Sequence, residues 1–147
     1  FFMKNTYVLM LILLSLSLTG FSQIDKILGK WKTIDEKDGS EQSIIYIYKA
    51  TNGKYYGKIE KLFKYSDKLC TECQGANKDK PILGMIIING MELKDNELRN
   101  GTILDPNNGK VYNCNISYDA KTKSLKVKGF LDKAGWLGKT KTWFRAE

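Results

Sequence analysis

Lys110-Val111-Tyr112-Asn113-Cys114-Asn115-Ile116-Ser117-Tyr118, followed after a short polar gap by Ser124-Leu125-Lys126-Val127-Lys128-Gly129-Phe130-Leu131, decides the fold. In the first stretch Tyr112, Cys114, Ile116 and Tyr118 alternate with Asn113, Asn115 and Ser117. The second sets Leu125, Val127 and Leu131 against Lys126 and Lys128. Successive side chains of a strand point to opposite faces, so a period of two gives each stretch one dry face and one wet face. Two such neighbours predict an antiparallel sheet that is packed on one side only.

Working outward, short apolar runs separated by turn signals fill the chain after residue 22, and no stretch of helical length carries an apolar stripe. The predicted strands are Trp31–Glu36, Ser43–Lys49, Tyr55–Leu62, Leu83–Ile88, Thr102–Asp105, Lys110–Tyr118, Ser124–Leu131 and Lys139–Arg145. Asn-Gly at 52–53, 89–90, 100–101 and 108–109 marks tight hairpins, because the central residues of those turns take positive φ. Pro81 and Pro106 both lie outside the apolar runs, as strands that need their N–H donors require. Ile24, Ile27 and Leu28 would close one end of the sheet from a single helical turn. Eight short antiparallel strands have edges to protect, and closing into a single up-and-down barrel removes them, with a sandwich as the competing solution. At eight strands the interior either fills with side chains or holds one small ligand.

The 147 residues carry 24 Lys and Arg against 16 Asp and Glu and contain no histidine. Without histidine there is no Ser-His or Cys-His nucleophile and no His-bearing metal site. Lys4, an uncharged run from Tyr7 to Leu18 and the small residues Gly20 and Ser22 make residues 1–22 a secretory signal, with cleavage after Ser22. The run is too short to span a bilayer comfortably. Residues 23–147 are then one domain of net charge 23 − 16 = +7, exported to the periplasm or the medium and not transmembrane after cleavage. Only Arg99 and Arg145 of the basic residues are Arg. Scattered Lys in an exported chain argues against nucleic acid and leaves attraction to anionic envelope polymers or lipid head groups.

Gly29-Lys30-Trp31 at the first strand and Arg145 at the last resemble the Gly-x-Trp and closing Arg signature of lipocalin and calycin barrels. That resemblance implies a structural role for Gly29, Trp31 and Arg145, with the guanidinium lying across the indole, a contact worth about 0.5 to 2 kcal/mol. A second resemblance covers nearly the whole domain. Gly29-Lys30-Trp31, Cys70-Thr71-Glu72-Cys73, Pro81 with Gly84, Gly101 to Pro106, Gly109-Lys110 with Tyr112, Leu125 to Phe130 and Trp143-Phe144-Arg145 follow in the order of the exported bacterial domain of unknown function 2147 (DUF2147) family. Lys128 stands where that family often has Arg. The resemblance implies an extracytoplasmic β-barrel and brings no activity with it.

In an oxidising compartment Cys70, Cys73 and Cys114 allow one disulfide, either Cys70 with Cys73 or one of these with Cys114. A thioredoxin-like redox pair would want a helix N-terminus, whereas Cys70-Thr71-Glu72-Cys73 lies in the long polar segment from Phe63 to Lys80. Zinc would need a fourth ligand such as Glu72 or Asp79. Cys114 reads as a small buried hydrophobe. Asp105 reads first as the head of a turn and otherwise as a residue of the barrel mouth, and Asp35 shares the alternation of Trp31 and Thr33. Asp35, Glu60 and Asp105 offer carboxylates, but their spacing selects no catalytic pair. Of the tyrosines, Tyr46, Tyr55 and Tyr112, with Asp105, are the candidate ligand-contacting residues. No catalytic residue, metal or cofactor is expected. The leading expectation is a protein that holds a small apolar or amphiphilic ligand at the barrel mouth. An envelope scaffold using its Lys-rich surface and a thiol-disulfide protein working through Cys70 and Cys73 are the alternatives.

Overall fold

The structure, a computed structural model, describes residues 22–132, 135 and 138–146. The expected signal segment, apart from Ser22, lies outside the described residues. A short helix α1 (Gln23–Ile27) precedes the strands β1 (Gly29–Ile34), β2 (Glu41–Lys49), β3 (Tyr55–Leu62), β4 (Ile86–Lys94), β5 (Glu97–Asp105), β6 (Lys110–Asp119), β7 (Ser124–Phe130) and β8 (Gly138–Arg145). Each strand pairs antiparallel with the next, and β1 pairs with β8 through Trp31 opposite Arg145 and Lys32 opposite Phe144. The sheet is therefore a closed, eight-stranded, up-and-down barrel, as the alternation requires. Its strands have no edge on which another chain would add.

The alternation decides what faces inward. On β2, Ser43, Ile45 and Ile47 are buried while Ile44, Tyr46 and Tyr48 face outward. On β6 and β7, Cys114 and Ile116 meet Gly129 and Val127 across the pair. The core continues through Ile59, Ile88, Met91, Leu98 and Leu125. One end is sealed. Arg145 lies 3.9 Å over the Trp31 ring, its guanidinium donates to the backbone carbonyls of Leu28 and Lys26, and the Trp31 indole N–H donates to the Ile27 carbonyl at 2.8 Å. Ile27 is fully buried, with Ile24 and Leu28 packed beside it, so α1 plugs that end as its apolar spacing suggests.

Several expected boundaries move. Asn89-Gly90 and Asn100-Gly101 are not hairpin turns: they lie inside β4 and β5, where Gly90 and Asn100 take positive φ. They are bulge-like interruptions that bend two long strands, and a Cβ at Gly101 would overlap the Met91 sulfur. The β4–β5 hairpin turns instead at Asp95-Asn96, where both residues have positive φ, a type I′ requirement that Asp and Asn tolerate. Consequently β4 begins at Ile86, not Leu83, and β5 at Glu97, not Thr102. Strand β1 ends at Ile34 after a register shift, which carries Asp35 off the inner face. Leu131 falls beyond the end of β7 and is 67% exposed, so it leaves the inward series of Leu125 and Val127.

Candidate functional site

At the end opposite Trp31 the inward side chains become small. Thr33 follows Trp31 on β1, Ser43 follows Ile45 on β2, and Gly129 follows Val127 on β7. The space they leave is a cavity of ≈ 760 Å³, within the range of small-molecule sites. Its walls are Ile45, Ile59, Ile87, Ile103, Val127 and Trp143. The Thr33 and Ser43 hydroxyls, also in the lining, bond to each other at 2.6 Å, so two buried polar groups satisfy one another within an apolar wall.

Among the described residues, three connections contribute to the rim. Between β1 and β2, the Asp35 carboxylate accepts the Lys37 backbone N–H at 2.8 Å. Between β5 and β6, the Asp105 carboxylate accepts the Asn107 N–H at 2.9 Å, and its carbonyl accepts the Gly109 N–H at 2.8 Å. Both acids hold turns, and both also line the mouth of the cavity. The long connection from β3 to β4 contributes Lys64, Tyr65, Lys68 and Ile82. It is stapled by a disulfide between Cys70 and Cys73, 5.3 Å apart at Cα, which settles the choice of partners. The connection is also fitted onto the β5–β6 turn. Gly109 has φ +71°, and a Cβ there would overlap the Glu72 carbonyl oxygen. Cys70 Sγ lies 3.5 Å from the Pro106 carbonyl oxygen, a packing contact because a disulfide sulfur has no proton to donate.

Both disulfide sulfurs belong to residues no more than 1% exposed, so an attacking thiolate has no approach to them. Cys114 is free and buried, and burial pushes its thiol up to about 12, which keeps it protonated and inert at neutral pH. Among the described residues there is no group of His, Cys, Asp and Glu that would hold a metal ion.

The expected ligand residues separate. Tyr112 and Asp105 line the cavity, and the Tyr112 hydroxyl accepts an N–H from Asn108 at 3.1 Å. Tyr55 faces inward but is buried at the sealed end, opposite Met91, and does not reach the cavity. Tyr46 is on the outer surface, where it stacks on Tyr48 at 5.5 Å with the Lys58 ammonium 5.8 Å from its ring. The reason is its position between Ile45 and Ile47, which take the inward places of β2. Cavity residues that the sequence reading did not single out include Trp143, Lys141 and Lys139. Their signal was the alternation of β8: Trp143 pairs with inward Leu125, so Lys141 opposite Val127 and Lys139 opposite Gly129 share its face.

A closed eight-stranded barrel, sealed at one end by a Trp–Arg pair and hollow at the other, defines a lipocalin-like fold. A solved structure with this architecture, described as "Protein HP1028 from the human pathogen Helicobacter pylori belongs to the lipocalin family", is similar to it with a TM-score of 0.69. The two are 20% identical over 82% of each chain, a likeness of fold. The chain belongs to the family described as "Uncharacterized protein conserved in bacteria (DUF2147)", whose model matches residues 29–145. No curated protein matches it in sequence.

Proposed function

We propose that the chain is an exported, non-catalytic binding protein that holds a small apolar or amphiphilic molecule in the mouth of its barrel. The observation that carries this reading is the apolar cavity of ≈ 760 Å³ between Ile45, Ile59, Val127 and Trp143, in a barrel whose other half is densely packed. A hollow of this size with mainly apolar walls and a few polar groups at its rim is the usual form of a small-molecule site. The lipocalin-like architecture supports the same reading, since eight strands leave room for one small ligand. Export is supported by the leader-like residues 1–22 and by a disulfide, which persists in oxidising compartments.

The test is a titration with a neutral, environment-sensitive naphthylamine dye. The wild-type chain binds one equivalent saturably, and Val127→Trp, which fills the cavity from its wall, abolishes the signal without lowering the melting temperature. Equal dye binding by the two proteins would place the apolar site elsewhere and overturn the proposal.

A further inference from the structure

The cavity is apolar in its walls and charged at its rim, where Lys64, Lys68, Lys139 and Lys141 face Asp35, Glu36, Glu41 and Asp105. Formal charge cancels, so the partners of each group decide what the rim offers. All four acids are engaged. Glu36 pairs with Lys139, Glu41 with Lys32 at 2.6 Å, and Asp35 and Asp105 accept backbone N–H groups of their own turns. The ammonium groups of Lys64, Lys68 and Lys141 have no hydrogen-bond acceptor or ion-pair partner among the described residues; Lys64 and Lys141 act on Asp38 and Glu36 only through space. Among the described residues the rim therefore keeps three ammonium groups without an acceptor, against two carboxylates, Asp35 and Asp105, that are held by backbone N–H groups but by no cation, a surplus of one positive charge.

Lys141 matters most. It stands opposite Val127 and one inward place above Trp143, between that apolar pair and Lys139 nearer the rim. A lysine on that face puts its stem along the wall and its ammonium at the water boundary, the way long cationic side chains use apolar surface. We infer that the cavity takes a single-chain amphiphile with a negatively charged head group, the head held by Lys141 with Lys68 and Lys64 beside it and the chain running past Val127 to Trp143. This rests on the ligand-holding reading and deepens it to a ligand class. The volume suits one chain, and a two-chain phospholipid presented in a bilayer would not seat.

Isothermal titration of the full domain with dodecanoate, dodecanol and dodecyltrimethylammonium, each below its micelle concentration, separates the terms. Dodecanoate binds about tenfold tighter than dodecanol, as a charge-assisted bond requires, and the ammonium amphiphile binds weakest. Lys141→Met brings dodecanoate down to the dodecanol level. Lys126→Met, on the outer face where Lys126 bonds Thr142, leaves the preference intact. Phosphatidylglycerol vesicles give no heat. If dodecanol binds and dodecanoate binds no tighter, ligand holding stands and the anionic head group is excluded. If no amphiphile binds, both readings fall. Binding to vesicles alone, or a preference that survives Lys141→Met, would equally overturn the inference.

Discussion

At the sealed end Trp31, Ile47, Met91, Leu98 and Ile116 are all fully buried, while one or two inward places further along β1 and β2 stand Thr33 and Ser43, and Gly129 follows Val127 on β7; these small residues leave a hollow. The strands differ little in length or pairing from end to end; the size of the inward side chain makes the difference. Large side chains at one end remove apolar surface from water within the chain itself, about 1.5 to 3 kcal/mol for each. Small ones at the other end leave an open space between Ile45, Val127 and Trp143. Stability is concentrated where Trp31 and Arg145 meet, and the proposed recognition falls where Lys141 and the stapled connection line the mouth.

That contrast is open to attack at both ends. The largest effect is expected from Trp31→Ala, which empties the sealed end and strands the Arg145 guanidinium: a loss of about 3 to 5 kcal/mol in urea unfolding. Replacing both Cys70 and Cys73 by Ser acts at the mouth. The loop they close is short, so the chain-entropy cost is about 2 kcal/mol, and loosening of the fit between Glu72 and Gly109 weakens dye binding as well. A matched pair comes next. Ile47→Phe overpacks the full end and costs about 1 to 3 kcal/mol, whereas Val127→Phe grows into the hollow and costs less by about 1 kcal/mol or more in the same unfolding assay. Equal costs would mean the mouth is as tightly filled as the base.

The smallest effect probes the wall between the two halves. Cys114 is neutral in the folded chain up to about 12, against an ordinary value of 9.0 when unfolded. Its contribution is complete below pH 9.0 and is lost as the unfolded thiol ionises above it, so stability falls by about 1 kcal/mol between about pH 9 and 10. Cys114→Ala removes that slope. A slope unchanged in Cys114→Ala would assign it to other groups.

Much of the architecture was legible because it is written in a period of two. The strands β2, β3, β6, β7 and β8 and the helical plug follow directly from alternation and from Ile24, Ile27 and Leu28. The Trp31–Arg145 contact followed from a resemblance. What misled was the Asn-Gly pair, which suits any backbone needing positive φ. Two of the four such pairs serve strand irregularities, and the β4–β5 turn uses Asp95-Asn96 instead. The site was half legible. Tyr112 and Asp105 sit at the mouth, but Tyr46 was misassigned because tyrosines were read as a set, without fixing which residues of β2 take the inner face. Lys139 and Lys141 were read as scattered surface charge. Only pairing with β7 shows that they share the face of Trp143.

The central claim, that the mouth half of the barrel is a ligand cavity, is tested most directly by a crystal structure of the domain soaked with a bromine-tagged long-chain alcohol, the bromine located by its anomalous scattering. The account predicts one bromine site inside the barrel, against Val127 and Trp143. Bromine found only on the outer face or between molecules, with the space beside Trp143 unoccupied by the chain, would contradict it.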